Sequence, residues 1–111
     1  MSKYVPAAER DYMARVARRG CAVCRRLGFD VDDMQAIVHH QAYGRGGWKR
    51  SSNYRTIGVC LIHHVDPDQG IHGINNAEAY EAHFGFSEQD LIEETQRALE
   101  QHVPANERIY Q

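Results

Sequence analysis

Cys60-Leu61-Ile62-His63-His64, with Gly70-Ile71-His72-Gly73 shortly after it, is the stretch that decides how this chain reads. From Cys60 to His72 it sets out one thiol and three imidazoles, all groups that bind soft or borderline metals. Matching groups stand upstream: Cys21 and Cys24 in a C-x-x-C pair, and the adjacent His39 and His40. Together these are three cysteines and five histidines, whereas one zinc takes about four ligands. The inventory is large enough for two metal sites.

The cysteines sort with His63. Cys21 with Cys24, and Cys60 with His63, are two short-spaced pairs far apart in sequence, the usual form of a Cys3His zinc centre. A gap of two residues lets both side chains of a pair turn toward one ion. Buried cysteines and surface histidines would explain each residue singly, but not the paired spacing. A disulfide fits poorly, because three cysteines leave one over. With those ligands assigned to a structural zinc, His39, His40, His64 and His72 remain. A catalytic metal site needs about three protein ligands, an open position and a nearby base, and these histidines can supply that.

Length bounds the rest. At 111 residues the chain reads as a single small domain, 1–111, whose 42% hydrophobic content supports a modest core. A structural zinc adds stability on the order of 10–16 kcal/mol in small zinc peptides. No apolar run approaches a membrane span and no signal peptide is evident, so no membrane partner is expected; free thiols at metal-like spacing suit the cytoplasm. The net charge of −2 is unevenly spread. Residues 1–26 carry seven basic and two acidic side chains, residues 45–55 four basic and none acidic, and residues 66–111 ten acidic and two basic. The basic half lies beside the metal-ligand residues, which suits a polyanion. The acidic half reads equally as a solvated helical face.

Along the chain, Pro6 suits a first helical turn, and the spacing of Tyr12, Met13, Val16 and Ala17 predicts a helix over 7–19 that stops at Gly20. Its other face carries Arg10, Arg15, Arg18 and Arg19, either an ordinary solvated face or a phosphate contact. Residues 34–40 and 55–61 read as two strands forming an antiparallel pair. On a strand, neighbouring side chains face opposite ways, so His39 and His40 need a twist or a strand end to share a site. Between the strands lies a glycine-rich basic loop in which Arg45, Lys49, Arg50 and Arg55 can hold a phosphate backbone. Trp48 in that loop either stacks on a base or anchors in the core. A short helix over 62–65 gives way to a turn over 66–70. Asn76 caps a helix over 77–84 that Gly85 ends, and Ser87-x-x-Asp90 opens a last amphipathic helix over 88–102. His83 and His102 sit in helical segments without paired spacing and read as surface histidines.

The order of these elements resembles a known family. Two strands, a glycine-rich connection and a helix, with His-His on the first strand, look like the ββα-metal or HNH nuclease motif. More closely, Cys21/Cys24, Val38-His39-His40, the loop from Gly44 to Gly47, Thr56-Ile57 through His64, Ile71-His72-Gly73 and Phe84-Gly85 resemble the Ref family of RecA-dependent phage and prophage HNH nucleases. The resemblance implies an α+β fold, a small zinc-stabilised ββα-metal core with flanking N-terminal and C-terminal helices. It implies that His39 binds a catalytic divalent metal (Mg2+, Mn2+ or Zn2+) and that His40 is the general base. Asn53 would orient His40 or the loop, and His64 and His72 would complete the metal site. Simpler HNH helices place the last ligand four residues on, at Asp68 here, but His72 fits the GIHG element better. The implied partners are DNA and a recombinase filament, in a bacterial host cell.

The chemistry also stands on the residues. A neutral imidazole can take a proton from water near neutral pH, and a divalent ion can neutralise a phosphate and its leaving oxygen. The expected function is therefore metal-dependent phosphodiester hydrolysis, and the resemblance implies that it is linked to DNA recombination or processing. The alternative is a zinc-stabilised nucleic-acid-binding module without catalysis, for which the second set of histidines has no use.

Overall fold

The computed structural model describes residues 4–44 and 51–111. The element order is α1 (Ala7–Arg18), α2 (Ala22–Arg26), β1 (Ile37–His40), β2 (Thr56–Val59), α3 (Leu61–Val65), α4 (Ile71–Ile74), α5 (Ala77–Phe84) and α6 (Glu88–Ala98), followed by two 3-10 turns at Glu100–His102 and Ala105–Glu107. This is a small α+β arrangement around a two-stranded sheet. Arg45, Lys49, Arg50 and Trp48 of the expected phosphate-holding loop lie outside the described residues.

The strands pair antiparallel, with Ile37 opposite Val59, Val38 opposite Gly58, His39 opposite Ile57 and His40 opposite Thr56. Both are shorter than the hydrophobic pattern predicts, and their neighbours show why. Before β1, the Met34 sulfur accepts the Cys21 N–H and the Ala36 N–H donates to the Ala17 carbonyl, so residues 34–36 anchor the chain to α1 and α2 instead of joining the ladder. After β2, Cys60 becomes the N-cap of α3 and the chain turns helical at Leu61.

All four residues of β2 are buried, whereas β1 buries only His39. β2 packs against α1, α2 and α6. On one side the core holds Cys21, Val23, Ile57, Val59, Ile71, Tyr80, Phe86, Leu91 and Ile92. A smaller cluster of Tyr12, Val16, Tyr54 and Val103 seats α1. Tyr12, Val16 and Ala17 are buried as the periodicity of α1 predicts. The last helix stops at Ala98, short of the expected residue 102, and tightens into a 3-10 turn. Its capping box forms: the Ser87 hydroxyl accepts the Asp90 N–H and the Asp90 carboxylate accepts the Ser87 N–H. Buried Gln96 donates to the carbonyls of Tyr54 and Glu107 and accepts the Ile109 N–H, which ties the C-terminal segment to the stretch leading into β2. Among the described residues no helix is long and apolar enough to cross a membrane.

Two glycines permit close approaches. A side chain at Gly58, in the middle of β2, would strike the Gly20 carbonyl oxygen at the end of α1 and lie 2.9 Å from the Ala36 β-carbon. At Gly73 it would collide with the Asp66 carbonyl, so glycine lets α4 fold back over the end of α3. Gly58→Ala should therefore destabilise the chain by roughly 1–3 kcal/mol or more, because backbone atoms cannot swing aside. A thermal melt checks this; an unchanged midpoint would show that α1 does not rest on β2 as described.

Candidate metal centres

The first cluster is built from two copies of one local device. Cys21 is the N-cap of α2 and Cys24 stands three residues on; Cys60 is the N-cap of α3 and His63 stands three residues on. The N-cap side chain and that of the residue three positions later meet at the start of a helix. That is the physical content of the x-x spacing. The Cys24 N–H donates to the Cys21 sulfur at 3.3 Å, closing the first turn as an N-cap oxygen would.

The tertiary fold then brings both devices together. The Nδ1 of His63 lies 3.5 Å from Cys21 Sγ, 3.4 Å from Cys24 Sγ and 3.2 Å from Cys60 Sγ, and the sulfurs of Cys24 and Cys60 are 3.9 Å apart. A tetrahedral zinc, with its usual Zn–S and Zn–N bonds, sets sulfur–sulfur edges of about 3.8 Å and sulfur–nitrogen edges of about 3.5 Å. The four side chains are thus spaced as a structural metal site requires. Burial pushes the Cys21 thiol up; burial, followed by the neighbouring Cys21 and Cys60, pushes Cys24 up to about 12. Without a cation these thiols keep their protons at neutral pH, and a metal must displace them. Burial holds His63 below its ordinary value, so its ring is already the neutral ligand form.

The second cluster is His39, His64 and His72, with one ligand atom of each within 4.8 Å of the others. It draws on three elements, β1, α3 and α4. The ring centres of His64 and His72 are 4.8 Å apart, those of His39 and His72 4.9 Å, and those of His39 and His64 5.5 Å, with edge-on geometry throughout. His39 is buried, His64 half-buried and His72 exposed, so the cluster has a closed floor and a solvent side. Burial, then the positive charge that His39 and His72 would carry, lowers the His64 value and favours the neutral ring. Asp68, the substitute considered for His72, is exposed and lies outside this cluster. Three imidazoles and an open side match a metal site that keeps a position for water or substrate.

α3 serves both clusters. His63 and His64 are consecutive, about 100° apart around the helix, and point to different sites. β1 divides its histidines in the same way. His39 turns inward to the cluster, while His40, the last residue of the strand, turns to the other face and places Nε2 2.7 Å from the Asn53 Oδ1. Asn53 in turn donates from Nδ2 to Glu9 Oε1 at 2.9 Å. Arg55 is half-buried, and its Nε has no hydrogen-bond partner among the described residues. His83 is exposed and His102 half-buried, neither in a cluster.

Glu88 is a residue that sequence reading missed. Its carboxylate is almost fully buried and accepts from the Nε2 of His39 at 2.8 Å and from the N–H groups of Ala42 and Tyr43, each at 2.8 Å. The Tyr43 hydroxyl then donates to the Ile71 carbonyl at 2.5 Å, next to His72. A carboxylate accepting from Nε2–H leaves the lone pair of His39 on Nδ1, the arrangement by which carboxylates orient metal-bound histidines. In sequence Glu88 is only the first residue of a capped helix.

No protein-family model matches the chain, and comparison with characterised proteins and with solved structures yields no match either. The site is therefore judged on its own geometry.

Glu88→Gln should lower the affinity of the three-histidine cluster for Mn2+ by about 10–100-fold, as losses of a carboxylate behind a ligand histidine do. Calorimetric titration of the zinc-loaded protein measures it. Unchanged affinity would mean that Glu88 merely fills the core.

Proposed function

We propose that the chain is a metal-dependent DNA endonuclease of the HNH type, built on a ββα-metal core with a structural zinc at Cys21, Cys24, Cys60 and His63. The observation that carries the reading is the second cluster. A zinc at the cysteines already satisfies the need for a staple, yet His39, His64 and His72 converge separately, backed by a buried carboxylate and open on one side. Strand, strand and helix follow in the order β1, β2, α3, with the histidines at the end of β1 and within α3.

In this reading His39, His64 and His72 hold a divalent ion, which supplies charge neutralisation at the phosphate and the leaving oxygen. His40 removes the proton from the attacking water. Its hydrogen bond to Asn53 fixes the ring for that role. Arg55 and the basic residues Arg45, Lys49 and Arg50 hold the phosphodiester backbone. Contacts of that kind carry no sequence information, so cleavage shows weak sequence preference. A bacterial-cell setting, a phage origin and a recombinase partner follow from the family resemblance alone.

His40→Ala should reduce nicking of supercoiled plasmid in Mg2+ or Mn2+ by at least about 100-fold, the lower range for a positioned general base. Zinc content and melting temperature should stay at wild-type values. Nicking retained in the variant would remove His40 from the mechanism. A wild type that binds DNA in a salt-dependent way but never cuts it would leave the non-catalytic binding module as the reading.

A further inference from the structure

We infer that Glu9, in the first turn of α1, is a positioning residue for His40: acting through the Asn53 amide, it dictates which imidazole nitrogen carries the proton. The functional meaning of this relay rests on His40 being the general base proposed above; its structural content does not.

A primary amide has one accepting and one donating end of nearly the same shape, so an asparagine beside an imidazole can present either. A carboxylate only accepts. Glu9 Oε1 lies 2.9 Å from Asn53 Nδ2, and turning the amide over would set two oxygens against each other there. Glu9 therefore holds the NH2 end of Asn53 toward α1 and the carbonyl end toward His40. Oδ1, 2.7 Å from Nε2, can only accept, so Nε2 must carry the hydrogen. The basic lone pair of the ring is then on Nδ1.

An acidic residue in a first helical turn has a simpler use, in which the carboxylate stays near the exposed N–H groups at the helix start. Glu9 instead reaches a residue 44 positions away. It spans from α1 to the segment leading into β2, whose Thr56 pairs with His40. Glu9, Asn53 and His40 share the wall of one cavity of about 460 Å3, so an isosteric change at Glu9 removes a charge without opening a void in the core.

The test is the tautomer itself. Long-range 1H–15N spectra of histidine-labelled, zinc-loaded protein at about pH 8.5, where an ordinary imidazole is neutral, report which nitrogen of His40 is protonated. The wild type should show the Nε2–H form. Glu9→Gln, whose own amide can donate or accept, should show a mixture of both tautomers at an unchanged melting temperature. An unmixed Nε2–H form in Glu9→Gln would overturn the inference. Should that variant fail to fold, Glu9→Ala provides the same reading: with the amide of Asn53 free to turn over, Nδ1–H must appear, and its absence would overturn the inference equally. In the plasmid assay kcat should fall with the lost tautomer fraction while KM holds. Because the spectra need neither DNA nor a catalytic metal, a tautomer shift in a protein that never cuts DNA would sustain the relay and remove only the nuclease reading.

Discussion

The structure depends on a crowding of three thiols and an imidazole about one point. Cys21, Cys24, Cys60 and His63 come from two short helices that the sheet separates in sequence, and their spacing matches the edges of a metal tetrahedron. Helices of five residues do not hold themselves together in water, since nucleation alone outweighs their few hydrogen bonds. An ion closing both N-termini would fix α2 against α3, and with them the end of β2. The apolar core helps, but a chain of 111 residues buries only a modest one.

The second cluster inherits its geometry from the first. Fixing His63 sets the rotation of α3, and His64 is the next residue along. α4 is held over α3 by the glycine contact at Gly73, which brings His72 to His64. β1 delivers His39 through its pairing with β2, and Glu88 locks that ring while also gripping the backbone of Ala42 and Tyr43. The two histidines of β1 have separate supports: a carboxylate directly behind His39, and an amide backed by a carboxylate behind His40.

Much of this was legible in the sequence, for a physical reason. The C-x-x-C and C-x-x-H pairs are visible because an N-cap and the third residue after it converge on one point, whatever surrounds them. The strand pair, the Asn76 cap and the Ser87–Asp90 box follow from equally local rules. Glu9 and Glu88 were not legible. Each stands in the first turn of a helix, where an acid is ordinary, and only the tertiary fold gives it a partner far away. The helix at Ile71–Ile74 was missed because Gly73 in its interior disfavours one, and packing against α3 overrides that preference. The strands were overextended because the apolar pattern cannot reveal that Met34, Ala36 and Cys60 spend their backbone and side-chain groups on other elements.

Two metal centres sharing α3 are the centre of the account, and counting bound metal tests them most directly. Native mass spectrometry of protein saturated with Zn2+ should give two equivalents for the wild type. The double variant His39→Ala/His64→Ala should give one, retained at the cysteines. One equivalent in both proteins would contradict a second centre, whatever else the histidines do.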